Sequence, residues 1–377
     1  MSRRANSEGS IFKRATDGRW AATLSLGAGK RKSLYGRSRA EVSAKLTTAL
    51  KAKQDGLPIV SDQETVRTYL ESWLVTVEPS VRPQTFRRYE QYVRLHSIPV
   101  IGSVRLSRLT PEHLQRLYSN RISAGLSPMS VRHLHAVLHN ALGHAARWGK
   151  VARNVADLVS PLRAARLEMR TLSPEQARRL LDAAQGDRLE ALYVLALTTG
   201  MRQGECLALR WQDVDLDGAV LSVTATLQRT KDGFALQEPK TARSRRQIVL
   251  TRHAVNALRQ HRARQLEERL RCPYWQETDL EFTTYVGTPI EARNLMRREF
   301  YPLLERAGLP AIRFHDLRHS AATLMLGSGV HPKVASEMLG HSQIAVTLDL
   351  YSHVTPTMQA QAAEAMDALL ASGSGTT

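Results

Sequence analysis

The chain of 377 residues is too long for one ordinary globular unit, so two or three domains with full-sized cores are expected. Its formal net charge of +18 favours a polyanionic partner, with nucleic acid ahead of an anionic membrane. No apolar run approaches the ~20 residues that span a bilayer, and the basic N-terminus lacks the apolar core of a signal peptide. Two distant cysteines, Cys206 and Cys272, argue against a disulfide framework and are expected to be reduced.

Residues 1–56 hold 13 basic and four acidic residues, which is half of the charge excess. Turn signals at 17–18 and 27–29 predict a three-stranded antiparallel sheet. A capping box at Ser38 predicts a helix that ends at Gly56 and covers one face of the sheet. The other face, expected to be rich in Lys and Arg, is either a solvated basic surface or a DNA-reading surface. Its candidate DNA contacts are Lys13, Arg14, Arg19, Lys30, Arg31 and Lys32.

Residues 61–160 are predicted to form a small all-α domain. A second capping box runs from Ser61 to Glu64, and apolar residues follow it at helical spacing from Val66 onward. Further helices are expected where proline suits the first turn, at Pro83, Pro111 and Pro128. Arginines between the apolar stripes are candidate phosphate contacts; they are Arg87, Arg88, Arg94, Arg121 and Arg132.

The periodicity breaks at residues 161–170, which are predicted to link the helical domain to a third domain at 171–354. An N-cap at Ser173 opens this domain, and helices follow up to Gly200. Three strands are then predicted, with an Asp232-Gly233 turn between the first two, at 220–224, 234–237 and 247–250. Helices return after Thr251, and residues 355–377 are predicted to form a final helix and a tail.

Several side chains of the third domain suit the chemistry of a phosphodiester. His315 and Arg318 are three residues apart, so on a helix they point the same way. A phosphodiester under attack gains negative charge, and guanidinium groups suit its oxygens because they bond bidentately and keep their charge. Arg202 and Arg318 fit that role.

Tyr351 is the candidate nucleophile. Because an unperturbed tyrosine has a pKa of about 10, it needs nearby positive charge and a proton acceptor to attack at neutral pH. His315 is the candidate acceptor, and Lys240, at a strand turn, is the candidate donor of a proton to the leaving oxygen. His315 and His319 also have zinc-ligand spacing, but no third ligand stands at a telling distance, so no metal site is predicted.

These residues lie in the motifs TGMRxGE, HDLRHS and LGHS, with a tyrosine ten residues after the histidine of the last one. The set resembles the tyrosine recombinase (phage integrase) family. The positions that match in order and spacing are Arg202, Lys240, His315, Arg318, His341 and Tyr351. The resemblance implies a multidomain, mostly α fold with small β-sheets. Its parts would be an arm-type DNA-binding domain (1–56), a helical, SAM-like core-binding domain (61–160) and an α+β catalytic domain (171–354).

The resemblance also implies a reaction without metal, cofactor or ATP. Tyr351 would attack the scissile phosphate and form a 3′-phosphotyrosyl bond, while Lys240 protonates the departing 5′-hydroxyl. His341 would join the two arginines at the phosphate, and Glu205 would support the site from behind. The basic residues Arg243, Arg245 and Arg246 are expected either to contact the DNA backbone or to lie in a solvated turn.

The implied partner is double-stranded DNA, with core and arm attachment sites held by a homotetramer and no membrane. The C-terminal helix would dock on a neighbouring protomer, and an excisionase or a host DNA-bending protein is a candidate accessory factor. The implied function is integration or excision of a phage or mobile element in the bacterial cytoplasm, at the nucleoid. Two alternatives are a DNA-binding regulator, which the intact set of six residues disfavours, and a topoisomerase, which the basic N-terminal domain disfavours.

Overall fold

The structure is a computed structural model that describes residues 10–27, 30–54, 64–161, 169–230, 233–239 and 244–340, with six isolated positions farther on. The chain divides into two compact units, Met1–Arg166 and Leu167–Thr377. The class is the predicted one, mostly α with small antiparallel sheets. None of the described helices combines the length and the apolar character that a membrane crossing requires.

The first unit begins with the predicted three-stranded sheet and one covering helix. The elements are β1 (Ser10–Lys13), β2 (Trp20–Gly27), β3 (Lys30–Gly36) and α1 (Arg39–Gln54). β2 lies between its two antiparallel neighbours. A small core of Ala22, Leu24, Val42 and Leu46 joins the sheet to α1. Ser38 Oγ accepts from the backbone N–H of Glu41 at 3.2 Å, as predicted for this helix start. The predicted end at Gly56 lies outside the described residues.

Helices build the rest of the first unit around one apolar core, as predicted. They are α2 (Val66–Val77), α3 (Pro83–Gln91), α4 (Ile98–Ile101), α5 (Pro111–Ser123) and α6 (Pro128–Arg147), with a π-helical segment at Tyr92–Ser97. Trp73 and Tyr69 are fully buried at the centre. Trp73 stacks on Tyr89 with ring centroids 5.4 Å apart, and the Tyr69 hydroxyl donates to the carbonyl oxygen of Ala141 at 2.5 Å.

The start of α2 differs from the prediction. Thr65 caps the helix, because its Oγ accepts from the backbone N–H of Thr68 at 3.2 Å. Glu64, expected inside the first turn, lies before the helix, and its carboxylate accepts from Lys150 Nζ at 2.7 Å. Ser61 lies outside the described residues. The carboxylate of Glu64 therefore pairs with a lysine 86 positions away instead of capping the helix.

The second unit packs helices against two small sheets. Its elements are α7 (Pro174–Ala184), α8 (Glu190–Thr199), α9 (Gln203–Cys206), β4 (Val214–Asp215), β5 (Val220–Val223), β6 (Thr226–Thr230), β7 (Gly233–Gln237), β8 (Arg246–Val249), α10 (Arg252–Arg271), α11 (Ala292–Asn294), α12 (Tyr301–Arg306), α13 (Phe314–Gly327) and α14 (Pro332–Leu339). Ser173 caps α7 as predicted, since its Oγ accepts from the backbone N–H of Gln176 at 3.2 Å. α8 is apolar on nearly all sides and runs through the core of the unit.

The strand pairing in this unit corrects the prediction. The first and second predicted strands are not partners, because β7 pairs with an additional strand, β6. β5 lies between β4 and β8 in a separate sheet. The sequence of β6, TLQRT, has a single large apolar residue, so alternation did not reveal it. Asp232 of the predicted turn lies outside the described residues.

Candidate active site

The end of α8 brings two arginines from distant parts of the chain together. The helix ends at Gly200 with φ 64°, a left-handed conformation that favours glycine. The chain then turns, and Arg202 stands at the N-cap position of the short helix α9. Arg318 lies on α13, and its Nη1 donates to the carbonyl oxygen of Gly200 at 2.8 Å. The same turn therefore positions both predicted phosphate-binding arginines.

A buried carboxylate, Glu205, binds two arginines. Arg202 Nη1 donates to Oε1 at 2.7 Å, and the backbone N–H of Arg202 donates to Oε2 at 3.0 Å. Arg246 Nη2, from the start of β8, also donates to Oε2 at 3.0 Å. Burial alone would raise the pKa of Glu205, but the charges and hydrogen bonds of Arg246 and Arg202 hold that pKa below its ordinary value. Glu205 is therefore ionised, and it lies where the sequence predicted support for the site.

Arg318 is the group that identifies the site as anion-binding. Its side chain is buried, with 3% of the residue exposed, and within the described residues Nη2 has no hydrogen-bond partner. Burial and the positive charge of Arg202 lower the pKa of Arg318 to about 9, so the group stays cationic at neutral pH. A buried donor without a partner costs free energy, and an anionic oxygen would satisfy it.

His315 lies three residues before Arg318 on the same helix, as predicted. Partial burial of the imidazole, aided by the charges of His319, Arg318 and Arg313, lowers the pKa of His315 to about 4. The residue as a whole is exposed, so solvent moderates this shift. The imidazole is neutral at neutral pH and able to accept a proton. Among the residues that the structure describes, no three metal-ligating side chains form a cluster that includes His315 and His319.

Sequence reasoning missed the residue that sets the start of α13. Asp316 is buried, and its Oδ2 accepts from the backbone N–H of Arg313 at 2.8 Å. Arg313 Nη2 donates to Asp316 Oδ1 at 2.7 Å. The signal was available, because an aspartate in the first turn of a helix that follows a β-region residue is typical of a capping interaction.

Arg246 requires a correction, because the sequence placed it with Arg243 and Arg245 as a candidate contact to the DNA backbone. Its side chain is only 6% exposed, and its donors are used inside the protein by Glu205 and by the carbonyl oxygens of Met338 and Ser244. Strand alternation places Arg246 on the same face as buried Ile248, which is the signal that the sequence offered. Arg245 points outward and pairs with Glu238 at 2.6 Å.

Several predicted site residues lie outside the described residues; they are Lys240, Arg243, His341 and Tyr351. The structure therefore brings together the two arginines and the predicted acceptor, His315, with Glu205 behind them. The positions of Lys240, Arg243, His341 and Tyr351 stay predictions.

The open face of the N-terminal sheet differs from the expectation of a surface rich in Lys and Arg. A row of Phe12, Ala21 and Tyr35 crosses its centre, and both aromatic side chains are about half exposed. Arg31 stands opposite Ser25 at the end of this face, whereas Lys13 stands opposite Trp20 in a row that faces α1. The sheet centre is therefore aromatic.

The other predicted DNA contacts of the first unit have different surroundings. Arg14 and Arg19 flank the first turn, and the Arg14 guanidinium lies 5.3 Å from the centre of the Tyr35 ring. In the helices Arg88 and Arg132 are exposed and Arg87 is half-buried. The side chains of Lys30 and Lys32 lie outside what the structure describes.

Comparison with known proteins identifies the family. Residues 170–358 match the model of the phage integrase family, and residues 65–122 match that of the phage integrase N-terminal SAM-like domain. A protein described as tyrosine recombinase XerC-like, from Caldanaerobacter subterraneus subsp. tengcongensis, is 32% identical over 361 residues, covering 90% of this chain and 92% of that protein. The chain belongs to the phage integrase family of tyrosine recombinases. This result confirms the predicted family and the predicted activity, site-specific breaking and rejoining of DNA.

Two solved structures share the fold of this tyrosine recombinase. The Tn1549 transposon integrase in complex with a circular intermediate DNA has a TM-score of 0.69 at 22% identity, covering 81% of this chain and 100% of that one. A lambda integrase tetramer bound to a Holliday junction has a TM-score of 0.55 at 18% identity, covering 92% and 96%. At these identities the two structures establish the fold, which agrees with the predicted class.

Proposed function

We propose that this tyrosine recombinase integrates or excises a phage or mobile element by cutting and rejoining DNA through Tyr351. The observation that carries the proposal is the buried guanidinium of Arg318, whose Nη2 lacks a partner within the described residues and whose neighbour is a second arginine, Arg202. Two adjacent guanidinium groups fit the non-bridging oxygens of a phosphodiester, whose negative charge grows during attack.

The chemistry divides among side chains of known character. Tyr351 Oη forms a bond to the scissile phosphorus as its proton passes to neutral His315, and the bond from phosphorus to the 5′-oxygen breaks. Lys240 gives that oxygen a proton, and the reaction leaves a 3′-phosphotyrosine and a 5′-hydroxyl. The 5′-hydroxyl of a partner strand can then attack the phosphotyrosine and reverse the step. No ATP is needed, because the phosphotyrosyl bond keeps the energy of the DNA phosphodiester bond that was broken. His341 adds a donor at the phosphate.

We also propose a role for each segment of the chain. Residues 1–56 bind arm sites, residues 61–160 bind core DNA, and residues 161–170 link them to the catalytic domain at 171–354. The C-terminal segment at 355–377 docks on a neighbouring protomer of a homotetramer on DNA at the nucleoid, with an excisionase or a DNA-bending protein as accessory factor. The match to a SAM-like domain model and the fold shared with a tetrameric lambda integrase support this assignment.

A covalent-trapping experiment tests the chemistry. The protein is incubated with a nicked duplex that carries the core site of its element, and the protein–DNA adduct is measured after denaturation. The parent forms the adduct and Tyr351→Phe does not, while the matched control Tyr274→Phe, at a residue 87% exposed, forms it normally. Absence of adduct from the parent, or an undiminished adduct from Tyr351→Phe, contradicts the assignment.

A truncation separates the role of the N-terminal sheet from catalysis. A chain without residues 1–56 is expected to cleave the core site as the full chain does but to lose integrative recombination between two attachment sites.

The two rival functions give different results with the full chain. A DNA-binding regulator binds the duplex without forming an adduct, and a topoisomerase relaxes supercoiled plasmid that lacks the core site.

A further inference from the structure

Arg246 has three separate hydrogen-bond contacts at the back of the site. Nη2 donates to Glu205 Oε2 at 3.0 Å, Nε donates to the carbonyl oxygen of Met338 at 2.6 Å, and Nη1 donates to the carbonyl oxygen of Ser244 at 3.2 Å. Its side chain is 6% exposed, so it is too buried to contact DNA at the surface. We propose that Arg246 is a positioning residue that preserves the charge of Arg202 and anchors the chain just before His341. This inference rests on the proposed function.

The first part of the argument is electrostatic. Glu205 is 4% exposed and ionised, and one arginine side chain donates to each of its carboxylate oxygens, Arg202 to Oε1 and Arg246 to Oε2. If Arg202 were its only partner, the pair would present no net charge to a phosphate. With Arg246 as the second partner, the three groups keep one positive charge, which adds to that of Arg318. Glu205, Arg246 and Arg318 are buried while Arg202 remains partly exposed, so the charges of the buried groups act on a bound phosphate more strongly than they would in solution.

The second part is mechanical and concerns the end of α14. Arg246 binds the carbonyl of Met338, and Arg202 Nη2 donates to the carbonyl oxygen of Gly340 at 3.2 Å. Gly340 ends the helix with φ 66°, and a Cβ on it would lie 2.9 Å from Arg246 Nη1 and 3.1 Å from Arg246 Cζ. The residue before His341 is therefore held against two guanidinium groups that share Glu205.

These two parts assign one task to Arg246. Tyr351 lies eleven positions after Gly340 in the sequence, so the point at which α14 ends is where the segment that carries His341 and Tyr351 begins. By binding both Glu205 and Met338, Arg246 links the phosphate-binding arginine to that point. Losing Arg246 should therefore affect the chemical step more than the binding of DNA.

The experiment compares single-turnover adduct formation at saturating core-site duplex with the affinity for that duplex. Arg246→Met keeps the unbranched apolar stem of the side chain and removes its charge and donors. Its rate is expected to fall by at least about tenfold, with the dissociation constant within about threefold of the parent. The matched control is Arg188→Met, since Arg188 is also a largely buried arginine paired with a glutamate but outside the site: its Nε donates to Glu268 Oε1 at 2.7 Å and its Nη2 donates to Glu268 Oε2 at 2.7 Å. That variant keeps its cleavage rate at temperatures where it is folded.

A double variant distinguishes the electrostatic role from simple loss of stability. In Glu205→Gln/Arg246→Met the carboxylate charge is absent, so Arg202 retains its own charge and the rate is expected to exceed that of Arg246→Met alone. Arg246→Lys keeps the charge but cannot reach Glu205 and Met338 together, so an intermediate rate is expected. This variant replaces Arg246→Met in the test if Arg246→Met does not fold. An Arg246→Met rate equal to that of the parent, or a loss that only follows the folded fraction, overturns the inference. If the parent forms no adduct, the proposed function itself has failed.

Discussion

Arg318 Nη1 donates to the carbonyl oxygen of Gly200 at 2.8 Å, although 118 positions separate the two residues in the sequence. Gly200 also faces α14, because a Cβ on it would lie 2.3 Å from Leu339 Cδ2. The left-handed end of α8 is therefore packed against α13 on one side and α14 on the other. A side chain at Gly200 would disturb both Arg318 and the end of α14.

Gly200→Ala is expected to destabilise the protein far more than Gly308→Ala. Both glycines have nearly the same φ, 64° and 63°, so both alanines carry the same left-handed strain of about 1–2 kcal/mol. The Cβ at Gly308 would meet nothing closer than Arg179 Nη1 at 4.0 Å, whereas at Gly200 overpacking adds about 1–3 kcal/mol. Thermal unfolding of the two variants measures the difference. Equal melting temperatures would mean that Leu339 does not occupy this position in solution.

Arg318→Lys is expected to lower the rate of adduct formation about 100-fold or more, although the charge is kept. The ammonium group cannot both bind the carbonyl of Gly200 and donate to the phosphate as the planar guanidinium does. Arg178→Lys, on an exposed arginine of α7, serves as the control and keeps the parental rate. Single-turnover cleavage at saturating DNA is the measurement, and a loss below about threefold would contradict the role of Arg318.

His315 is expected to titrate with a pKa near 4 in the folded protein, well below its ordinary value of 6.5. An NMR pH titration of the histidine rings measures this directly, and His319→Ala should raise the pKa because one cause of its depression is removed. Between pH 6.5 and about 4 the unfolded chain binds a proton at this position that the folded chain does not. Stability contributed by neutral His315 is therefore present above pH 6.5 and is lost as the pH falls through that window, with solvent exposure moderating the effect. A ring that titrates near 6.5 would show that burial and the neighbouring charges do not depress the pKa of His315.

Glu281→Gln is expected to stabilise the second unit at alkaline pH. Glu281 is fully buried, and neither of its carboxyl oxygens has a hydrogen-bond partner within the described residues. Burial, with the negative charges of Asp213 and Asp279, raises its pKa well above the ordinary 4.5, so the folded protein keeps a proton that the unfolded chain releases. Stability is thus lost as the pH rises above 4.5. The gain in melting temperature should be larger at pH 8 than at pH 5, and a gain independent of pH would show that Glu281 is ionised when folded.

Arg132→Ala is expected to weaken binding to the core-site duplex by a similar factor for specific and unrelated sequences, because a phosphate contact carries no base information. If Arg132 meets one phosphate, the slope of log affinity against log salt concentration falls by about 0.9. Arg271→Ala, at a residue ion-paired with Glu267 at the end of α10, provides the control with an unchanged slope. Fluorescence anisotropy between low and moderate salt is the measurement, and an unchanged slope for Arg132→Ala removes this residue from the interface.

Local patterns determined much of the architecture. Helix starts at Pro128 and Pro174 were predictable, because a capping hydroxyl and a first-turn proline act within a few residues. The N-terminal sheet followed from its turn residues and its alternation. The pairing of His315 with Arg318 on one helix face followed from the helical repeat alone.

Tertiary contacts decided what the local patterns could not. The sequence by itself determined the family, the class of reaction and which side chains suit a phosphodiester, since these depend on residue type and order. Only the tertiary structure decided that Arg246 faces Glu205 rather than DNA and that Glu64 binds Lys150 instead of capping a helix. The reason is physical, because a charge that is buried or partly buried is stabilised by whichever partner the fold brings within hydrogen-bond distance, and that partner can lie 41 or 86 positions away in the chain.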